Sequence, residues 1–76
     1  MTTVQISLNS IDKVKAFVNL ISEYDFDFDI ISGRYVIDAK SIMGIFSLDL
    51  SKPINLSIHS DEPDEVLKKI DEYIVK

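Results

Sequence analysis

The sequence contains no cysteine. That excludes a disulfide framework, a thiolate metal site and a cysteine nucleophile, and it leaves a small domain dependent on its apolar core. A cytoplasmic setting fits a chain without disulfides. Glycine is scarce as well: only Gly33 and Gly44 are present, so there is no glycine-rich loop to cradle a phosphate. Basic residues fall short of acidic ones, with 8 Lys and Arg against 13 Asp and Glu and a formal charge of −5. Such a balance disfavours binding to a nucleic-acid backbone, where cations must displace counterions. No apolar run approaches the roughly 18 residues that a membrane span needs, and no basic stretch leads into an apolar leader segment. The expectation is one soluble domain over residues 1–76. A chain of this mass buries about 60% of its extended surface and keeps about 4,700 Å² exposed, which argues against a deep, water-excluding active site.

What is present is strong periodicity. Val4, Ile6 and Leu8 alternate with polar residues, the mark of a strand with one buried face. Ile11, Val14, Phe17, Val18, Ile21 and Tyr24 lie on one arc of a helical wheel, opposite Asp12, Lys15, Asn19 and Glu23, and Asn9 or Ser10 can cap that helix. The run Asp25 to Ile30 alternates again. With Ser32-Gly33 and Tyr35-Val36-Ile37 behind it, it reads as a hairpin around a two-residue turn. Ile54, Leu56 and Ile58 make a fourth strand just past Pro53. Asp61 or Glu62 opens a last helix carrying Val66, Leu67, Ile70, Tyr73 and Ile74, with Asp64–Lys68 and Glu65–Lys69 as favourable i,i+4 pairs. The fold class is therefore α+β.

Between the third and fourth strands lies Lys40-Ser41-Ile42-Met43-Gly44-Ile45-Phe46-Ser47-Leu48. Ser41 stands where an N-cap belongs, and about two helical turns follow. Ile42, Met43, Ile45, Phe46 and Leu48 sweep about 220° of the wheel, wider than the stripe one helix buries against a sheet. Either part of this surface faces water as a docking patch for another protein, or the helix is sunk into the core.

The run from Lys40 to Leu48, continued through Ser51-Lys52-Pro53-Ile54-Asn55-Leu56-Ser57-Ile58, resembles the regulatory-serine region of HPr, the phosphocarrier of the bacterial phosphoenolpyruvate-dependent sugar phosphotransferase system. The order of elements over the whole chain is also that of HPr. The resemblance implies an open-faced β-sandwich (βαββαβα), a four-stranded antiparallel sheet with three helices on one side. It implies that Ser41 is the serine phosphorylated by HPr kinase and that Ile42, Met43 and Phe46 form the apolar patch on which partners dock, with Lys40 as a nearby cation. In that family a histidine and, two residues on, an arginine start the first helix and carry phosphate from enzyme I to sugar permeases. Here those positions fall near Ser10 and Asp12. A serine hydroxyl cannot form the labile phosphoramidate of an imidazole, and a carboxylate repels the phosphate that arginine clamps. The reading is thus an HPr-like regulatory module of carbon catabolite control without phosphocarrier activity, similar in logic to the HPr paralogue Crh, whose expected partners are HPr kinase and a catabolite-control regulator. The open alternative is an unphosphorylated HPr-like interaction domain, in which Ser41 is a plain cap.

Catalysis by this chain is not expected, nor is a cofactor or metal. Asp25, Asp27 and Asp29 are of the residue type that binds a cation or performs acid–base chemistry in pairs, but alternation makes them the outward face of a half-buried strand. With Asp38 they would give the sheet an acidic surface, which speaks against an RNA-binding module. His59, the chain's single histidine, is read as a solvated strand-end residue.

Overall fold

The computed structural model describes residues 2–75. The strands are β1 (Thr2–Ile6), β2 (Phe28–Ser32), β3 (Tyr35–Asp38) and β4 (Ile54–Ile58); the helices are α1 (Ile11–Ile21), α2 (Ile42–Phe46) and α3 (Asp64–Lys69), with a 3-10 turn at Asp71–Tyr73. All three strand pairings are antiparallel, and the sheet order is β1-β4-β2-β3. Pairing of Val4 with Leu56 and of Ile30 with both Leu56 and Ile37 lines one face of the sheet with apolar side chains. Val14, Phe17, Val18 and Ile21 of α1 cover that face, joined by Ile45 of α2 and Val66 of α3 in one core. The opposite face carries Thr3, Gln5 and Asn55, all exposed, as the open face of an α+β sandwich. The exposed surface of 4835 Å² matches what a domain of this mass is expected to leave in water.

Several boundaries differ from the sequence reading: β1 ends at Ile6, short of the buried Leu8, and four others differ for a physical reason. The second strand begins at Phe28 rather than Asp25, because residues 24–26 are held otherwise: the Lys40 ammonium donates to the carbonyls of Tyr24 (2.6 Å) and Phe26 (3.0 Å). Asp25 and Asp27 consequently precede the strand, and only Asp29 and Asp38 sit opposite each other in the ladder. The first helix stops at Ile21, where the Ser22 hydroxyl bonds back to the Val18 carbonyl at 2.6 Å, so Tyr24 lies beyond it; Ile11, counted with the buried stripe, is exposed at the helix start. The last helix starts at Asp64 behind Pro63, not at Asp61 or Glu62, since the Glu62 N–H is taken by the Ser60 hydroxyl. It ends at Lys69, and the chain then turns so that Ile74 bridges to Ile6 and the Val75 N–H reaches the Gln5 carbonyl at 2.9 Å. Of the two expected ion pairs on α3, Glu65–Lys69 closes to 3.9 Å.

The β2–β3 turn is Gly33-Arg34, with Ser32 and Tyr35 paired across it. Gly33 has φ +61°, which its missing Cβ permits, and a glycine at the first central position is what a two-residue hairpin of the II′ kind requires.

Candidate functional site

The neighbourhood of α2 is built from the end of β3. The Asp38 carboxylate accepts from the Lys40 N–H (2.9 Å) and the Asp38 carbonyl from the Ser41 N–H (3.0 Å), which closes a turn and delivers Ser41 in extended geometry as the N-cap. Its hydroxyl accepts from the Gly44 N–H at 3.4 Å, and its side chain remains exposed. Gly44 is required for proximity: a Cβ there would lie 2.7 Å from Ile37 Cγ2 and 3.3 Å from the Ser41 hydroxyl oxygen. Glycine therefore lets α2 settle directly on β3. Ile45 is fully buried, and Ile42 and Leu48 are half-buried against the core. Met43 is 76% exposed and Phe46 39%. The wide apolar sweep is thus divided, part of it buried and part presented to solvent next to Ser41.

Lys40 is not part of that surface. Its ammonium points inward to the two carbonyls already named and lies 5.7 Å from the centre of the Phe28 ring, so it anchors the 24–26 segment and is not a cation beside Ser41. The nearby residues that the sequence reading missed are Arg34 and Tyr35. With Ile37, Leu48 and Asp49 they line an open groove of about 700 Å³ between the hairpin turn and the end of α2. The Ser51 hydroxyl (2.6 Å) and N–H (3.1 Å) both donate to its acid, Asp49, and lower the carboxyl from its ordinary value. The only signal in the sequence was a lone arginine in a hairpin turn.

The start of α1 is the second place of interest. Ser10 is its N-cap, accepting from the Lys13 N–H at 3.2 Å, and Asp12 follows in the first turn, where a negative charge suits the helix dipole. Asp12, Lys13, Ala16, Glu72 and Tyr73 line a shallow cleft of about 280 Å³. Burial, aided by Glu72, pushes the Tyr73 phenol up from its ordinary value, and its ring meets Phe17 edge-on at 5.6 Å. No imidazole is available here. β1 runs from Thr2 beside Ile58 to Ile6 beside Ile54, so Ser10 and His59 leave the sheet at opposite ends. His59 follows β4 as expected, but with a partner: its Nε2 lies 2.7 Å from Asp29 Oδ2, both side chains partly exposed. Among the described residues no cluster of three or more His, Asp or Glu is arranged to hold a metal ion, and no helix is long and apolar enough to cross a membrane.

The family model described as "PTS HPr component phosphorylation site" matches residues 12–76. Among solved structures, HPr-C-His from Thermoanaerobacter tengcongensis is similar over 95% of this chain and 89% of its own, at 26% identity and a TM-score of 0.77. The phosphocarrier protein HPr from Bacillus anthracis str. Ames is similar over 97% of this chain and 94% of its own, at 26% identity and a TM-score of 0.71. No curated protein matches the chain. Proteins of the HPr family are phosphocarriers of the phosphotransferase system that act through other proteins and are not themselves enzymes. With a family match over most of its length and the same antiparallel sheet beneath three helices, this chain belongs to the HPr family.

Proposed function

We propose that this chain is a regulatory member of the HPr family, a cytoplasmic protein-binding module that does not relay phosphate through histidine and that HPr kinase phosphorylates on Ser41. The observation that carries the reading is the joint exposure of Ser41, Met43 and Phe46 on a helix that the core holds only through Ile45 and its half-buried neighbours. A phosphoryl group on Ser41 would bring about −1.5 to −2 charges to that apolar patch. A partner with an apolar pocket and an arginine rim would gain from the addition, and an acidic one would be repelled, with no refolding of the domain. The start of α1 supports the other half of the reading. Ser10 offers no imidazole, and Asp12 would repel the phosphate that a cation there would bind. A catabolite-control regulator is the proposed reader of the phosphorylated form.

Incubation with HPr kinase and ATP, followed by intact-mass measurement, tests this. One phosphate should be added, and none in a Ser41→Ala variant; no addition by a kinase active on a conventional HPr would overturn it. In that event a second reading takes over. The Ser41 hydroxyl already accepts from the Gly44 N–H, which suffices to explain a serine there as a cap, and the chain is then an interaction domain that uses Met43 and Phe46 without modification.

A further inference from the structure

The sheet has two edges, and they are treated differently. The β1 edge is covered by the end of the chain: Ile74 bridges to Ile6, the Val75 N–H donates to the Gln5 carbonyl and the Ser7 N–H to the Tyr73 carbonyl. The β3 edge has no such cover among the described residues. Because Ser32 and Tyr35 close a two-residue turn, the backbone groups of Tyr35 and Ile37 face β2, as does the Ala39 N–H, which donates to the Phe28 carbonyl at 2.9 Å. Alternation then turns the Val36 N–H and C=O outward, together with the Asp38 N–H. Val36 is 66% exposed and Tyr35 64%. A short edge strand with two large exposed side chains and outward backbone groups is a template for another strand.

We propose that this edge pairs with the same edge of a second copy, antiparallel about Val36, giving a two-fold dimer with a continuous eight-stranded sheet. The second copy is chosen by charge. With Val36 opposite Val36, antiparallel geometry sets Tyr35 opposite Ile37 and Arg34 opposite Asp38, twice each by symmetry. Arg34 is the chain's only arginine, and among the described residues its side chain makes no ion pair or hydrogen bond, while Asp38 uses one carboxylate oxygen for the Lys40 N–H and has no partner on the other. Other registers lose this. A one-residue slip opposes outward backbone groups to inward ones, and centring on Asp38 brings two carboxylates together. Two cross-strand ion pairs offset part of the repulsion between bodies that each carry −5. An edge of four residues lies below the size of a stable interface, so the dimer is weak and concentration-dependent. None of this depends on the phosphorylation of Ser41.

Sedimentation equilibrium at low salt, up to about 1 mM protein, tests it. The average mass of the wild-type chain should climb toward twice that of one chain as concentration rises. Arg34→Asp and Asp38→Arg should each weaken self-association about tenfold, because each places like charges opposite one another. An equimolar mixture of those two variants should recover it, since both cross-strand pairs become complementary again. Val36→Pro, which removes an outward N–H that the ladder does not use, should stay monomeric with the fold intact by circular dichroism. A wild-type chain that remains monomeric throughout, or a mixture no more associated than its components, would overturn the dimer. Undiminished association of Val36→Pro would overturn the edge.

Discussion

α1 and α2 begin in the same way and end up as different kinds of surface. Each is capped by a serine in extended geometry, Ser10 accepting from the Lys13 N–H at 3.2 Å and Ser41 from the Gly44 N–H at 3.4 Å. α1 then spends 11 residues burying Val14, Phe17, Val18 and Ile21 and shows polar residues and a charged first turn to solvent. α2 has five residues, buries only Ile45 completely, and leaves Met43 and Phe46 in water. A helix of that length is not stable alone, so its apolar exposure is retained by the fold around it. Local capping chemistry therefore does not tell a structural helix start from a recognition site; the side chains of the following turn do. On the proposed reading one start, with Asp12 in its first turn, is closed to phosphate, and the other offers a hydroxyl beside a greasy surface.

Substitutions can sharpen that contrast. On the buried side, Phe17→Ala should cost about 3–5 kcal/mol in denaturant unfolding, whereas Met43→Ala on α2 should stay within about 0.5 kcal/mol while weakening partner capture. Gly44→Ala should cost about 1–3 kcal/mol despite its better helix propensity, because the new Cβ collides with the branched Ile37 side chain; a melting temperature at or above wild type would show that α2 is not pinned to β3. Ser10→Ala and Ser41→Ala should each lose about 1 kcal/mol, the longer Ser41 bond making its loss the smaller of the two.

The smallest effect is on pH dependence, and it belongs to the α1 side. Tyr73 has its phenol raised above 10.0 in the fold, so the native state holds that proton more tightly than the unfolded chain does. Its contribution is fully present below the unfolded value and is lost as pH rises through the folded one. Chemical unfolding followed above pH 10 should fall less steeply in Tyr73→Phe than in wild type, and parallel profiles would remove Tyr73 as the cause.

Much of this was legible in the sequence. Alternation located β1 and β4 and the hairpin, and helical periodicity located α1, because those patterns follow directly from which face is buried. The buried set of the last segment, Val66, Ile70 and Tyr73, was readable even though its hydrogen bonding was not: a 3-10 turn keeps nearly the same face inward, and the open β1 edge takes the chain end as a partner in place of another helical turn. Ser41 was readable as the cap of α2, and the width of the apolar sweep from Ile42 to Leu48 left open whether part of it faces water; only the fold shows that Met43 and Phe46 do. Lys40 was not, because its carbonyl partners lie 14 and 16 residues away and only the folded loop brings them near. The His59–Asp29 contact spans 30 residues and depends on β4 lying beside β2, an adjacency no local pattern encodes. Arg34 looks like an ordinary turn residue and Tyr35 like an ordinary strand residue until the sheet order makes β3 an edge.

Exposure of the chain to enzyme I and phosphoenolpyruvate, with a histidine-bearing HPr treated alongside and both read by intact mass, bears most directly on the division between the two helix starts. The conventional HPr should gain one phosphate and this chain none. Phosphoryl transfer onto this chain by that route, whether to His59 or elsewhere, would contradict the reading of α1 as a closed site.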